Sequence, residues 1–191
     1  GTASAFCQRS AQAAGAVSPG PGIGTLAIAG DLALSPGAIY RLDNGGGSAD
    51  SLLAAGVATI DGATLALTQT GLYTPGASAT ILRADGGVAG TFGAVAEDYA
   101  FLTPVLSYTP GAVSLGLSRN AVAFADVGET FNQRNAGAGL DGAPPANLAQ
   151  RAVLSGNADD ARAAFDQLSG EVHASMPVSY THLTLPTTPY V

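Results

Sequence analysis

The sequence has no lysine or tryptophan, one cysteine, one methionine and only 11% charged residues among its 191. Because Cys7 stands alone, neither an internal disulfide nor a thiolate metal cluster can form within one chain. The seven basic residues are all arginines, they do not cluster, and the formal net charge is −7. Nucleic-acid binding needs a basic footprint that neutralises phosphates, so we expect no nucleic-acid partner.

Long apolar stretches are also missing. No segment reaches the roughly 18 apolar residues that a membrane-spanning helix needs, so we expect no such segment in this chain. The sequence starts at Gly1 without the charged and apolar regions of a signal peptide. If the protein is exported, we expect its export signal to lie upstream of these residues.

The residues that are present favour short strands. Hydrophobic residues make up 47%, but Gly (26) and Pro (11) are frequent, and many of the apolar side chains are small. Leu26, Ile28, Leu32 and Leu34 occupy alternate positions, which is the period of a β-strand. Similar segments follow, separated by turn residues. The predicted strands cover residues 24–34 with a bend at 30–31, then 39–42, 52–53, 57–60, 64–68, 80–83, 91–92, 101–108 and 113–119.

This spacing is typical of a β-solenoid, sandwich or barrel, and it predicts a mainly β fold. Small side chains and few charges on alternate positions favour the solenoid, in which each turn of the chain buries its face against the next. Turn sequences recur as SPGA at residues 35–38 and as TPGA at residues 74–77 and 109–112, without a fixed repeat period. Residues 1–22 show no clear period.

Beyond the last strand the pattern becomes helical. Asn120 is predicted to cap a first helix that carries Phe124, Val127 and Phe131 on one face. The segment rich in glycine and proline at residues 137–145 is predicted to end that helix.

Two further helices are predicted. Asn147 is expected to cap one that runs to about Leu154, and Asn157 is expected to cap another, which has two aspartates in its first turn. Gly170 is predicted to lie inside this third helix and to cost about 1 kcal/mol relative to alanine. Its apolar stripe comprises Ala161, Ala164, Phe165, Leu168 and Val172.

Ser169, Glu171 and His173 are the residue types of a catalytic triad. At a spacing of two on a helix they point in different directions, so we expect a solvated helix face rather than a relay. His173 and His182 are too few and too isolated for a metal site. The sequence therefore indicates no catalytic, cofactor-binding or metal-binding residue, and we expect no enzyme activity.

Two glycine patterns fail their context. Residues 137–142 (GAGLDG) match GxGxxG but do not follow a predicted strand, and Gly20, Gly22 and Gly24 precede a strand rather than a helix. Both are interpreted as loop glycines.

Five aspartates are predicted turn residues because each stands beside Gly, Asn or Ser. Paired carboxylates on a strand face, which general acid–base chemistry would need, are not evident. A β-helix polysaccharide lyase or hydrolase is therefore kept only as an alternative. The five are Asp31, Asp43, Asp50, Asp61 and Asp85.

Six aromatic residues in the strand region are predicted to fill a core that is otherwise short of large side chains. The alternative is a carbohydrate- or host-surface-binding adhesin module, in which some of them form an exposed patch. They are Tyr40, Tyr73, Phe92, Tyr99, Phe101 and Tyr108.

Three segments resemble those of a known family. Residues 15–43 (GAVSPGPGIGTLAIAGDLALSPGAIYRLD) are similar to the coil at which bacterial autotransporter passengers enter their C-terminal region. Residues 87–120, with GVAGTFGAV, AFLTPVLSY and AVSLGLSRN, resemble the passenger's autochaperone region. Residues 157–175 (NADDARAAFDQLSGEVHAS) resemble the helix that precedes the family's translocator barrel, and FDQLSGEVHAS is the most specific match.

The resemblance implies a type V autotransporter of pertactin-like architecture. Residues 15–119 are then the last coils of a right-handed parallel β-helix, and residues 120–175 are an α-helical linker towards a 12-stranded translocator barrel that this chain lacks. The implied role is structural, because in this family the terminal coils fold first outside the cell and template the rest of the passenger. The implied partners are the chain's own barrel and the outer-membrane assembly machinery, at the surface of a Gram-negative bacterium.

The two ends of the chain fall outside this resemblance. Residues 1–14 are left unassigned. Residues 176–191 (MPVSYTHLTLPTTPYV) contain no Ala or Gly and resemble peptides translated from sequencing-adaptor read-through. We therefore expect this tail not to be native.

Overall fold

A computed structural model describes residues 10–144 and 147–170, and within them thirteen strands precede four helices. The strands are β1 (Ser10–Ala13), β2 (Ala16–Val17), β3 (Thr25–Ile28), β4 (Asp31–Leu34), β5 (Ile39–Asn44), β6 (Ser51–Ala54), β7 (Ala58–Thr59), β8 (Thr64–Gln69), β9 (Ser78–Ala84), β10 (Val88–Ala89), β11 (Ala94–Ala96), β12 (Leu102–Thr109) and β13 (Ala112–Arg119). The helices are α1 (Phe124–Val127), α2 (Phe131–Asp141), α3 (Leu148–Leu154) and α4 (Ala158–Ser169).

The strands form a parallel β-solenoid of three turns, which we call rungs. Strands β1–β3 make rung one, β4–β6 rung two and β7–β9 rung three, and each strand pairs in parallel with its counterpart in the next rung. Three sheets result: sheet A (β1, β4, β7, β10), sheet B (β2, β5, β8, β11) and sheet C, which begins with β3, β6 and β9. The predicted mainly β, solenoid-type fold followed by short helices is confirmed.

The core is built from columns of apolar side chains that stack from rung to rung. Leu26, Leu52 and Leu82 share one column of sheet C, because the register pairs each with the next. The first two are 26 residues apart and the last two are 30 apart. Corner loops therefore differ in length between rungs, which is why the sequence shows the strand period but no fixed repeat period.

The strand predictions were largely confirmed, with three differences. Strands β10 and β11 fall outside every predicted strand. Strands β1 and β2 lie in the stretch where no period was visible, because each is short and rich in alanine. The predicted strand at residues 91–92 is wrong: these residues form the corner between β10 and β11. Phe92 turns towards the core there, and its ring stacks on that of Tyr40 at 6.4 Å between centroids.

Strands β10 and β11 pair in parallel with β7 and β8 and form a partial fourth rung. An antiparallel hairpin of β12 and β13 follows it. Strand β13 pairs with β9 in the antiparallel sense, so sheet C ends in the order β12-β13-β9-β6-β3. The TPGA sequence at residues 109–112 forms the hairpin turn, whereas the SPGA and the other TPGA sequences form corners before β5 and β9. The same turn chemistry thus serves three different connections.

The first helical prediction needs three corrections. The chain forms two helices there, α1 and α2, and Phe131 is 77% exposed rather than part of one apolar face with Phe124. Asn120 does not cap a helix; it bonds to the Ala100 carbonyl and to the Val122 amide at the start of the connection. The glycines at 137 and 139 do not end a helix but lie inside α2, which is capped at Thr130 by a reciprocal pair of bonds with Gln133. Tertiary packing overrides glycine's low helix propensity here.

The second and third helices begin where predicted. Asn147 caps α3, which ends at Leu154, and Asn157 caps α4. Gly170 is not inside α4, as predicted, but ends it in the left-handed conformation (φ 78°), which glycine adopts without steric penalty. Of the predicted apolar stripe, Ala161 and Phe165 are buried and Leu168 is exposed, and Val172 lies outside the described residues.

The helices and the last strands enclose a second core, separate from that of the solenoid. The helical segment (α1–α4) contributes six buried side chains, and the corner after β8 and the hairpin region contribute four. The members are Tyr73, Phe101, Leu102, Leu117, Phe124, Leu140, Val153, Leu154, Ala161 and Phe165.

Candidate functional site

The two ends of the solenoid differ, and this difference is the main candidate for function. At the C-terminal end the antiparallel β12–β13 hairpin replaces a further parallel rung in sheet C. Its outer strand carries Pro104, which has no N–H to donate to another strand. Further parallel stacking is therefore disfavoured in sheet C at this end, whereas sheets A and B end there in the short strands β10 and β11.

At the N-terminal end, rung one contributes the terminal strands β2 and β3 of sheets B and C among residues 10–144 and 147–170. Four inward side chains of this rung are only half-buried, whereas Ile28 is buried: the four are Ala11 and Ala13 in sheet A, Val17 in sheet B and Leu26 in sheet C. Their register partners in rung two are fully buried, namely Leu32, Leu34, Tyr40 and Leu52. Each apolar column thus continues to the surface at this end.

The open rung is also uncharged. Residues 10–30 include no Asp, Glu, Lys or Arg. Proteins commonly protect exposed strand edges with charged side chains, and lysine in particular. Rung one has no such protection along its strands, so its edge is chemically suited to pair with another β-rung.

The loop after β5 ties rung one to rung two through two carboxylates. Asp50 is buried and accepts hydrogen bonds from the amides of Gly24 at 2.7 Å and Asp43 at 3.0 Å. The Asp43 carboxylate accepts from the amide of Gly22 at 2.9 Å. The open rung is therefore held rigidly by the one beneath it.

The helical segment docks onto the solenoid at the corner that contains Tyr73. Ser155 Oγ accepts from the Tyr73 amide at 2.7 Å, and Arg151 Nε donates to the Tyr73 carbonyl at 2.7 Å. Arg151 also donates to Thr74 Oγ1 at 3.1 Å. Helix α3 thus satisfies both main-chain groups of one corner residue, and this contact fixes how the helices sit on the last rungs.

Arg119 joins the hairpin to the helices. Its guanidinium lies 5.1 Å from the Phe101 ring centroid and 4.6 Å from that of Phe124, within the range of cation–π attraction. It also donates to the carbonyls of Phe101 and Val122, on either side of the connection. Burial lowers the pKa of Arg119, and the nearby Asp141 carboxylate opposes that shift.

A partly buried polar ladder lies beside the corner that contains Tyr73. Asn44 and Gln69 are register partners in sheet B, and the Asn44 amide donates to Gln69 Oε1 at 3.1 Å. The Tyr99 hydroxyl donates to the same oxygen at 2.7 Å, and burial raises the pKa of Tyr99. This ladder was not predicted from the sequence. The only sign of it there is an amide residue near the end of each of two predicted strands.

No model of a known protein family matches this sequence. No curated protein matches it either. The fold and the two ends of the solenoid are therefore interpreted from their own geometry.

The triad-type residues are not brought together within the described part of the chain. Ser169 is the last residue of α4, and its hydroxyl donates to the Asp166 carbonyl at 2.9 Å. Glu171, His173, His182 and Cys7 lie outside the described residues. In residues 10–144 and 147–170, no group of three or more His, Cys, Asp and Glu side chains is arranged to hold a metal ion.

The glycine patterns serve packing and turns. Gly137 is buried where α2 crosses α1, and a Cβ there would lie 2.7 Å from the Ala125 nitrogen. Gly142 follows α2 as its C-terminal cap, so the GxGxxG match is part of a helix rather than a loop. Gly20 and Gly22 adopt positive φ angles in the turn before β3, as loop glycines.

Two of the five predicted turn aspartates lie in strands instead, since Asp31 begins β4 and Asp43 is within β5. Asp31, Asp43 and Asp50 each accept a main-chain hydrogen bond from a neighbouring rung. Asp31 accepts from the Val57 amide at 2.8 Å, and Asp43 and Asp50 bond as described above. Asp85 is exposed and pairs with Arg83 across 3.6 Å. These carboxylates hold corners in place.

The aromatic residues divide between core and surface. Tyr40, Tyr73 and Phe101 are buried, as predicted, whereas Tyr108 is 39% exposed. The Tyr40 hydroxyl donates to the Ile81 carbonyl at 3.1 Å inside the core, and burial raises the pKa of Tyr40 far above its usual value. The four tyrosines of the strand region therefore do not form a single exposed patch.

Two adjoining clefts of about 240 and 390 Å³ lie between the corner after β8 and the helices. They share Gln69, Ser155, Gly156 and Asp160. Their shared side chains Gln69, Ser155 and Asp160 bond to neighbouring groups of the protein. Among the described residues, no helix combines the length and the apolar character that crossing a bilayer requires.

Proposed function

We propose that this chain is the C-terminal stem and autochaperone of an autotransporter passenger, with the helical segment leading towards a translocator barrel. The observation that carries the proposal is the asymmetry of the solenoid. At one end sheet C is closed by an antiparallel hairpin, and the other end presents uncharged, half-buried apolar side chains in register with the core. A template for a β-helix needs such an open end, because each added rung buries its face against the one before it.

The sequence resemblance supports the same role. The segments at residues 15–43, 87–120 and 157–175 contain β2–β5 of rungs one and two, β10–β13, and α4, respectively. This division agrees with the order expected of a passenger end: coils, closing region, then helix. Location at the surface of a Gram-negative bacterium, and partnership with the barrel and the assembly machinery, belong to the same proposal.

The test is a secretion experiment in a Gram-negative host. A reporter β-helix is fused in front of the chain and a translocator barrel behind it, and the protease resistance of the reporter at the cell surface is measured. Leu26→Asp introduces a charge into an inward column, whereas Ala27→Asp, one residue later, points outwards from the same strand.

We expect the reporter to become protease-sensitive with Leu26→Asp and to stay resistant with Ala27→Asp. A reporter that reaches the surface and folds equally well when residues 10–170 are deleted would overturn the proposal. Circular dichroism of each variant chain separates loss of templating from loss of the chain's own fold.

A further inference from the structure

The end of β5 and the loop after it contain the dipeptide Asn44-Gly45. Asn44 is the only one of the six asparagines in the sequence that precedes a glycine. An asparagine at such a position loses its side-chain amide readily, because glycine has no side chain to hinder attack by its own nitrogen and adopts the required backbone angles freely. We infer that Asn44 is a deamidation site that reacts while the chain is unfolded and is protected once β5 pairs with β8.

The reaction consumes only water. The Gly45 nitrogen forms a bond to Asn44 Cγ and loses its proton, while the bond from Cγ to Nδ2 breaks and the side-chain nitrogen leaves with that proton as ammonia. Water then adds to the cyclic imide and opens it at either of its two carbonyls. The product carries aspartate or isoaspartate at position 44, and no group is oxidised or reduced.

In the folded chain the peptide bond between Asn44 and Gly45 is held from both sides. The Asn44 carbonyl accepts from the Thr70 amide at 2.8 Å, and the Gly45 N–H donates to the Ser48 carbonyl at 2.8 Å. The attacking nitrogen is therefore engaged in a hydrogen bond. The peptide plane cannot turn towards Asn44 Cγ without breaking these bonds, so the first step requires local opening of the loop.

The Asn44 side chain is held as well. The residue is only 5% exposed, its Nδ2 donates to Gln69 Oε1 at 3.1 Å, and its Oδ1 accepts from the Gly46 amide at 3.1 Å. The Tyr99 hydroxyl donates to the same Gln69 oxygen at 2.7 Å. Both polar atoms of the side chain thus have partners, and burial excludes the water that the second step consumes.

The aspartate product does not fit this ladder. An oxygen would replace Asn44 Nδ2 and face Gln69 Oε1, so that two acceptors would meet. Turning the Gln69 amide over would bring Nε2 to the new carboxylate, but Nε2 already donates to the Gly71 carbonyl. One pair of acceptors stays unmatched in either orientation, and such a mismatch is costly where water is excluded. A chain that deamidates before folding is therefore less stable once folded.

Mass spectrometry of the full chain measures the reaction at position 44. Samples are kept at one pH and temperature in native buffer and in guanidinium chloride, and the peptides that span Asn44 are quantified over time. We expect deamidation at least about tenfold faster in the denatured chain, because opening limits the reaction in the folded one. Asn135 is exposed and precedes alanine, so it serves as the internal control and should react slowly in both samples.

A pair of glutamine variants tests the contribution of the ladder. Gln69→Leu removes the acceptor of Asn44 Nδ2, and we expect it to speed deamidation in native buffer several-fold. Gln12→Leu, at an exposed glutamine of β1, should leave the rate unchanged. Circular dichroism checks that each variant folds, and Tyr99→Phe, which removes a single donor to Gln69, replaces Gln69→Leu if that variant does not fold.

Asn44→Asp reproduces the aspartate product directly. We expect it to unfold at a lower guanidinium chloride concentration than the parent protein, whereas Asn135→Asp should unfold at nearly the same concentration. Three results would overturn the inference: equal rates at Asn44 in the folded and denatured chains, a reaction at Asn44 no faster than at Asn135 in the denatured chain, or an Asn44→Asp variant as stable as the parent protein.

Discussion

Arg151, in helix α3, donates a hydrogen bond from Nε to the main-chain carbonyl of Tyr73 at 2.7 Å, across 78 residues of sequence. Tyr73 belongs to the corner between β8 and β9, and the helical segment docks on that corner. A single guanidinium therefore connects the helical part of the chain with the last complete rung.

Replacing Arg151 with methionine retains an apolar side chain of similar length but removes the donor. We expect Arg151→Met to lower the free energy of unfolding by about 1–3 kcal/mol, because the carbonyl of a buried residue loses its partner. Urea denaturation followed by circular dichroism measures the change. Arg83→Met is the control: its side chain is 67% exposed and pairs only with exposed Asp85, so the expected change stays within about 0.5 kcal/mol. Equal losses would contradict the role given to Arg151.

Tyr40 is expected to make stability depend on alkaline pH. Burial raises the pKa of its hydroxyl in the folded state above the value of about 10 in the unfolded chain. The folded state therefore favours the neutral form, so this contribution is fully present below about pH 10 and declines as pH rises beyond it, by up to about 1.4 kcal/mol per pH unit.

Tyr40→Phe tests this dependence. We expect it to destabilise the protein at pH 7 by about 1 kcal/mol, because the Ile81 carbonyl loses its donor. Between pH 10 and 11 the variant should lose stability less steeply with rising pH than the parent protein. The loss of stability that remains in the variant includes a contribution from Tyr99, whose pKa is also raised by burial. An unchanged slope in denaturation series at several pH values would show that Tyr40 does not carry the effect.

Two glycines of α2 are expected to respond in opposite directions to alanine. Gly137 faces α1, and a Cβ there would lie 2.7 Å from main-chain atoms of Phe124 and Ala125. We expect Gly137→Ala to destabilise by about 1–3 kcal/mol through overpacking. Gly139 has no atom within 4 Å of such a Cβ, so Gly139→Ala should stabilise by up to about 1 kcal/mol through helix propensity. Thermal denaturation of both variants checks the signs, and a stabilising Gly137→Ala would refute the close contact.

Asp50 is expected to matter far more than its position in a glycine-rich loop suggests. Its carboxylate is buried and accepts from the amides of Gly24 and Asp43, which link rung one to rung two. In Asp50→Asn, the side chain keeps only one acceptor oxygen. Its NH2 group then faces one of the two main-chain N–H donors and cannot accept from it. We expect a loss of about 1–3 kcal/mol and faster hydrogen exchange in β3. Asp85→Asn, at an exposed carboxylate, is the control and should change stability by less than about 0.5 kcal/mol.

The sequence alone was sufficient for the class of fold. Alternation of Leu26, Ile28, Leu32 and Leu34 predicted strands that the structure contains, because a half-buried strand must alternate its faces whatever surrounds it. Asn147 and Asn157 correctly marked two helix starts, because an N-cap bonds to amides of its own first turn. Such features depend on neighbours within a few residues, and they are readable from the chain.

Only the tertiary structure decided the features that depend on distant residues. Gly137 and Gly139 lie within a helix because α2 packs on α1 and α4, and Gly170 ends one because of the conformation it adopts there. The open columns at Ala11 and Val17 become visible only when the register pairs them with Leu32 and Tyr40, across corner loops of unequal length. Sequence specifies the strands and caps through local chemistry, whereas the stacking of rungs, and with it the open end, is a property of contacts between residues 21–30 positions apart.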